Sequence, residues 1–441
     1  MSRHATVVGA GLAGTEAAWM LARFGIPTVL YEMKPVRFSP AHKSPLFSEL
    51  VCSNSLRSDR LENAVGLMKE EMRLLGSVVM EAADQARVPA GGALAVDRES
   101  FSTYITEKLE NHPLSEVRRE EVTEIPEDDA VIIATGPLTS DALAGAIAAL
   151  PGISRLSFYD AAAPIVTADS LDMNHVFRAS RYGRGDDYLN CPLTKEEYDA
   201  FIDALLTAET APVEGFEETS VFEGCMPIES MAKRGRMVPA FGPMKPVGLV
   251  DPNTGRMPYA CLQLRQDDAA STLYNLVGFQ TRLKFPEQRR VFGLIPGLKD
   301  AEYARYGVMH RNTFLNSPGY LSAAYECLNR PGLYFAGQMT GVEGYVESAS
   351  SGMVAGLNAA LRLNGREPCM FPEETALGSL ARYISTPNRH FQPMNITFGL
   401  MPPLDKRVRD KKARYRMISE RALESLRLII NGNADLEQLR Q

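Results

Sequence analysis

Apolar positions along the chain follow two different periods. Residues 5–10 (ATVVGA) make an unbroken apolar run, the mark of a strand buried on both faces. The run breaks at Gly9-Ala10-Gly11-Leu12-Ala13-Gly14, and apolar residues then recur at helical spacing over Glu16–Phe24. Gly25-Ile26-Pro27 stops that helix, and Thr28–Tyr31 reads as a second strand. Strand, glycine turn, helix and strand make a β-α-β unit, which implies a parallel sheet. Ser44–Asn54 carries no period and predicts a loop, and Arg60–Leu75 predicts an amphipathic helix. Ala130–Ala134 and Leu333–Ala336 read as two more buried strands, the second leading into a small-residue helix around 346–361. Between 159 and 305 the texture changes to more turns, short strands such as 273–279, scattered aromatics and a helix at 194–206. A charged helix around 406–430 closes the chain. The pattern predicts an α/β protein whose Rossmann-type domain is split between residues 1–158 and 306–441, with a smaller α/β domain inserted over 159–305.

Composition narrows the class. A chain of 441 residues, 45% hydrophobic and 23% charged, is ordinary for a soluble protein with a core large enough to need no staples. Its net charge of −7 excludes a generic nucleic-acid binder, so any polyanion site must be local. The cysteines Cys52, Cys191, Cys225, Cys261, Cys327 and Cys369 form no C-x-x-C pair and no zinc spacing, which predicts no metal and a reducing compartment. No signal-peptide pattern precedes the glycine turn, and the most apolar stretch, 142–153, is too short to span a membrane. The expected location is the cytoplasm.

The turn at Gly9–Gly14 has the G-x-G-x-x-G spacing between strand and helix that binds a dinucleotide. Gly9 allows the tight turn, Gly11 admits a pyrophosphate against the backbone, and Gly14 lets helix and strand pack closely. Ala10, Leu12 and Ala13 complete the loop, and the helix start presents N–H groups to phosphate. Glu32, about 20 residues after Gly9 at the end of the second strand, is placed to accept from a ribose hydroxyl. FAD rather than NAD is argued from the C-terminal part. Here a strand leads into Gly337-Gln338 and then Gly344-Tyr345, and Thr135-Gly136 ends the middle strand. Ser348, Gly352 and Gly356 recur every fourth residue on one helix face, which predicts a close approach to sheet or cofactor. The fold expected is the glutathione-reductase-like FAD domain. Many two-dinucleotide flavoproteins carry Asp where Gln338 stands, a departure from that analogy.

Six blocks carry a family resemblance. They are VVGAGLAGTEAAW, ELVCSNSLRSDRLENAVGLMKEEM, FEGCMPIESMAKRG, YNLVGFQTRLKF, LYFAGQMTGVEGYVESASSGMVAGLNAA and FQPMNITFGLMPP. Together they resemble the bacterial folate- and FAD-dependent tRNA uracil-5-methyltransferases. The resemblance implies methylation of the T-loop uridine at position 54 of tRNA. The carbon donor would be 5,10-methylenetetrahydrofolate, with reduced FAD as carrier and reductant and NAD(P)H as the electron source. The AGQMTGVEGYVESASSG block is also similar to a sister flavoprotein that modifies wobble uridines, and a small-molecule NAD(P)H flavin oxidoreductase is the reading from another class.

Under that resemblance two thiols become candidate catalytic residues. Making C5 of uracil nucleophilic generally needs a nucleophile at C6, a task suited to a thiolate. Cys225, in the kinked Gly224-Cys225-Met226-Pro227, is taken as that nucleophile. Cys52, followed by the capping residues Ser53, Asn54 and Ser55, is expected at a helix start that would lower its pKa, assisting methylene handling or C5 proton removal. The two roles are open to exchange. Seven cations and one acid lie between Lys406 and Arg416, and Lys406, Arg407, Arg409, Lys411 and Lys412 are taken as RNA-binding. A second basic run with aromatics adds Arg282 and Lys284. Because the target base must reach the flavin, base flipping into an interdomain cleft is expected.

Overall fold

The structure, a computed structural model, describes residues 3–153, 155–161, 163–183, 185–211, 226–388, 391–437 and 439. Its central sheet holds β1 (Ala5–Val8), β2 (Thr28–Tyr31), β3 (Ser115–Arg118), β4 (Ala130–Ile133) and β5 (Leu333–Phe335). The order is β5-β4-β1-β2-β3 and every neighbouring pair is parallel, Ala5 of β1 facing Thr28 on one side and Ala130 on the other. Strands β1 and β4 are buried along their whole length, which is why they read as unbroken apolar runs. The edge strand β3 has the sequence SEVR and no apolar run, so periodicity passes over it. From β1 the strands lead to β2 on one side and to β4 on the other. That reversal opens a crevice at the carboxyl ends of the strands, where a ligand of such a sheet binds.

Helices α1 (Leu12–Arg23), α2 (Ala64–Leu74), α3 (Tyr345–Leu363) and α4 (Lys411–Gly432) pack around this sheet. Helices α1 and α3 touch backbone to backbone. A Cβ on Gly352 would lie 1.9 Å from the Ala13 carbonyl oxygen, and one on Gly356 2.6 Å from that of Ala17. Gly352 and Gly356 are therefore turned to α1, while Ser348, one turn earlier on the same face, lines the cleft at the carboxyl ends of the strands. Helix α4 begins at Lys411, five residues later than expected, because the Asp410 carboxylate accepts from the Ala413 amide at 2.6 Å and caps it. Helix α2 buries Lys69, whose Nζ donates to the carbonyls of Leu56, Arg57 and Ser58 at 2.8, 3.3 and 2.7 Å. That lysine holds the short strand Ser55–Ser58 in place.

Glu71, also on α2, accepts from the amides of Ala376 and Leu377 at 2.8 and 2.9 Å, at the start of the helix Ala376–Ser385. Burial pushes its carboxyl from 4.5 up to about 8, against the two donors. The folded state then binds a proton that the unfolded chain has already released. The stability this group contributes is fully present below pH 4.5 and is lost as pH rises through 8, by up to about 1.4 kcal/mol per pH unit. Glu71→Gln has no such proton, so its urea midpoint is expected to fall less than the wild type's across this window. Equal slopes for the two proteins would show that the carboxylate is ionised in the fold.

Strands Phe177–Arg178, Tyr188–Leu193, Ala260–Gln266, Leu273–Leu276, Ile165–Thr167 and Tyr303–Arg305, in that spatial order, make a second sheet, antiparallel throughout. The helix Lys195–Thr207, started by a capping box of Thr194 and Glu197, buries Tyr198, Phe201, Ile202 and Leu205 against it. Arg155–Ala161 and Met309–Leu315 pair as an antiparallel ribbon on either side of this sheet in the chain. Against a small third sheet of Ser55–Ser58, Ala93–Val96 and Arg87–Val88 and the loops beside it, the Tyr188 hydroxyl donates to the Ala90 carbonyl at 3.1 Å and the Asn54 amide to those of Val96 and Gln266 at 3.0 and 2.9 Å.

Candidate active site

The carboxyl ends of the strands surround a cleft open to solvent. It is lined by Gly9, Gly11, Leu12 and Ala13 after β1, Glu32 after β2, Thr135 and Gly136 after β4, and Gly337 and Gln338 after β5. Each glycine of the first turn has its own reason. Gly9 has φ +98°, and a Cβ there would lie 2.8 Å from the Ala134 carbonyl oxygen. A Cβ on Gly14 would lie 1.7 Å from the Gly9 oxygen, whereas one on Gly11 would meet nothing within 4 Å. Gly11 thus leaves open the space its side chain would fill, at the uncapped start of α1.

The Glu32 carboxylate accepts from the Ala10 and Lys34 amides, both at 3.0 Å, and holds further lone pairs for a ribose. Ala10, Gly14 and Gly344 do not line the cleft. Ala10 orients Glu32, Gly14 packs against the turn, and Gly344, with φ 111°, starts α3 without a side-chain cap. Gln338 is held in place, its Nε2 donating to Glu343 Oε2 at 2.7 Å. Two helix starts, an open space at Gly11 and a buried carboxylate after β2 fit the pyrophosphate and ribose of FAD.

Cys52 stands at the edge of this cleft, beside Val51, which lines it. The amides of Cys52 and Ser53 donate to the Tyr345 hydroxyl at 2.6 and 3.2 Å. No helix follows Cys52: the next element is the strand Ser55–Ser58, since Ser53 and Asn54 spend their side chains on the other sheet instead of capping. Arg265 Nε donates to Asn54 Oδ1 at 2.9 Å and Arg265 Nη2 to Ser53 Oγ at 2.6 Å. Burial lowers Arg265 and Arg305 from their ordinary values, and negative charge at Cys52 acts to raise both. Burial, then the Cys52 charge, pushes the Tyr345 hydroxyl up. Sequence reasoning passed over these arginines. The one signal for Arg265 is a strand, ACLQLRQ, buried at all seven positions yet carrying polar residues.

Cys225 lies outside the described residues. Cys191, Cys261, Cys327 and Cys369 are buried, and burial raises the thiols of Cys191, Cys261 and Cys369. The structure brings Lys406, Arg407, Arg409, Lys411 and Lys412 together in one exposed stretch ahead of and into α4. Arg421 donates to the Pro403 carbonyl at 2.8 Å and Phe398 stacks on Tyr415 at 4.5 Å, which ties the stretch to the helix. Lys284 and Arg282 sit apart from it in sequence. Lys284 Nζ pairs with Glu209 at 2.6 Å, and the Arg282 amide donates to Glu229 at 2.8 Å. Among the described residues no group of three or more metal-ligating side chains occurs, and no helix is long and apolar enough to cross a membrane.

A family model described as glucose inhibited division protein A matches residues 4–367. GidA of Aquifex aeolicus in its form II crystal superposes with a TM-score of 0.71 at 17% identity, over 99% of this chain and 75% of that one. Fold and cleft define an FAD-binding flavoprotein of the GidA type. The methylenetetrahydrofolate–tRNA-(uracil-5-)-methyltransferase TrmFO of Pelotomaculum thermopropionicum is 62% identical over 426 residues, 96% of this chain and 98% of the relative. That of Lactobacillus acidophilus is 60% identical over 97% of this chain and 98% of the relative. The chain belongs to the family of folate-dependent tRNA (uracil-5-)-methyltransferases.

Proposed function

We propose that this protein methylates C5 of the uridine at position 54 in the T-loop of tRNA, taking the carbon from methylenetetrahydrofolate. The observation that carries the site assignment is the junction of Cys52 with the dinucleotide cleft through the Tyr345 hydroxyl. Bound, reduced FAD supplies the electrons that turn a methylene into a methyl group. In this reading the Cys225 thiolate adds to C6 of uracil and places negative charge on C5, which attacks the donor's methylene carbon. The Cys52 sulfur then takes the C5 proton, and the last bond from the methylene carbon to a folate nitrogen breaks with its electron pair to release tetrahydrofolate. The exocyclic methylene so formed would take up a hydride, which bound reduced FAD would supply, as the C5–C6 double bond re-forms and Cys225 leaves. Tyr345 fixes the Cys52 backbone during that transfer. The reading assigns the activity to the cytoplasm and takes NAD(P)H as the source of electrons.

The test is incubation of the purified protein with methylenetetrahydrofolate, NAD(P)H and unmodified tRNA, followed by nucleoside analysis. Appearance of 5-methyluridine at position 54 supports the reading. A modified wobble uridine, or NAD(P)H oxidation with no change in the RNA, overturns it in favour of the sister flavoproteins or a small-molecule oxidoreductase.

The exposed basic stretch is assigned to tRNA phosphates, each neutralised phosphate releasing counterions on binding. Neutralising Lys406, Arg409, Lys412 and Arg416 together should lower the salt slope of tRNA binding by about 0.7–0.9 for every phosphate left without its cation, several units in all. NAD(P)H oxidation without RNA should stay near the wild-type rate. The measurement is a binding titration at several salt concentrations beside an RNA-free oxidation assay. An unchanged slope would make the stretch a solvated surface.

A further inference from the structure

Three aromatic rings stack at the edge of the antiparallel sheet. Tyr306 lies nearly parallel to Phe285, with centroids 4.4 Å and planes 17° apart, and to Tyr303, at 5.0 Å and 6°. Tyr303 belongs to the edge strand Tyr303–Arg305, Tyr306 follows it, and Phe285 opens the helix Phe285–Phe292. A buried amide fastens that helix to the chain after the strand. Gln288 Nε2 donates to the Leu283 and Gly307 carbonyls at 2.7 and 2.8 Å, and Gln288 Oε1 accepts from the Gly307 amide at 2.8 Å. The Tyr303 hydroxyl donates to the Gln288 carbonyl at 3.3 Å. The rings are thus held in place before anything binds.

One end of the stack is open, for Phe285 is 50% exposed. A lone exposed phenyl is ordinary surface, but one held parallel to further rings is a fixed π-face, and every nucleobase has a face to match it. The rim is cationic: residues 282–290 hold Arg282, Lys284, Arg289 and Arg290 against Glu287 alone. Lys284 pairs with Glu209 and Arg290 with Glu287, both at 2.6 Å. Arg289 is exposed and has no carboxylate partner among the described residues, and its guanidinium lies 5.4 Å from the centre of the Tyr306 ring. A ring face beside an uncommitted guanidinium is what a base and its phosphate need from a single-strand site. A protein partner calls for a wider apolar face, whereas here Phe285 and Pro286 stand among Lys284, Arg289 and Arg290, all exposed.

We propose that Phe285 is the exposed step of a stacking platform for an unpaired base of the RNA, with Arg289 taking a phosphate beside it. The inference rests on tRNA being the substrate, as proposed above, and adds a grip on single-stranded RNA outside the flavin cleft, which Phe285 does not line. The platform reads no sequence, since any base can stack there, but it selects unpaired over paired RNA. A base that leaves its own stack loses a neighbour, and Phe285 supplies another, which lowers the cost of opening the RNA.

The test uses Phe285→Trp, which keeps a ring in the stack and adds a fluorophore, with the wild type and its single tryptophan, Trp19, as background. Saturating unmodified tRNA is expected to quench the added indole well beyond any change in the wild type, and a fully paired RNA duplex to leave it bright. Phe285→Ala should weaken tRNA binding by about 5- to 150-fold. Its salt slope should stay that of the wild type, because no phosphate contact is lost, whereas Arg289→Met should lower the slope by about 0.7. Phe285→Tyr should bind as the wild type does. Flavin absorbance and a thermal melt report that each variant is folded. An indole left unquenched by saturating tRNA, or wild-type affinity in folded Phe285→Ala, overturns the proposal. So does a wild-type dimer in sedimentation that Phe285→Ala dissociates, which would make the face a contact between copies of the chain. If 5-methyluridine forms while the indole stays bright, the platform fails and the methyltransferase reading stands; a wild type that binds no tRNA removes both.

Discussion

Cys225→Ala is expected to purify yellow and to form no 5-methyluridine, a loss of about three orders of magnitude or more. Flavin binding depends on the cleft at the strand ends, whereas carbon transfer requires a nucleophile at C6. Cys52→Ala should fail at the later proton transfer and also keep its flavin. Cys327→Ala is the control. That thiol is 1% exposed within the main core, so its loss should leave turnover near wild type and lower stability slightly. Nucleoside analysis of a single-turnover reaction distinguishes the three. Methylation by Cys225→Ala at the wild-type rate would remove that residue from the chemistry.

The second large effect concerns two glycines three residues apart. Gly11→Val should give folded, colourless protein. Its side chain meets no protein atom within 4 Å and so grows into the space assigned to the pyrophosphate. Gly14→Val should not fold at all, because its Cβ would stand 1.7 Å from the Gly9 oxygen. Absorbance of bound flavin and a thermal melt on each variant separate these outcomes. Full flavin content in folded Gly11→Val would move the phosphate site elsewhere.

What the sequence made legible was local. The first strand, turn and helix announce themselves because β1 is buried on both faces and Gly14 packs against Gly9 within the same turn. Glu32 follows from the same unit. The edge strand β3 was illegible because a strand buried on neither face needs no apolar run. The stripe on α3 showed its period but not its partner, since Ala13 and Gly352 are neighbours only in space. The setting of Cys52 was misread for the same reason. Capping residues after a thiol suggest a helix, yet Ser53 and Asn54 have a stronger claimant in Arg265, more than two hundred residues away. Long-range polar pairing leaves no period behind. Its one trace is a buried strand with Gln263 and Arg265 where apolar residues would serve.

The interlock at Asn54 bears on how such proteins can diverge. Its side chain accepts from Arg265 and donates to the Gln266 carbonyl, while the same amide group also reaches Val96. One fully buried residue therefore ties the Cys52 loop to the antiparallel sheet and to the strand Ala93–Val96 at once. The antiparallel unit is not a cassette that recombination can exchange as a block, even though it occupies a continuous stretch of chain. A chimera that imports this unit from a distant relative must import the matching Cys52 loop as well, or it will assemble two sound halves around a misplaced sulfur.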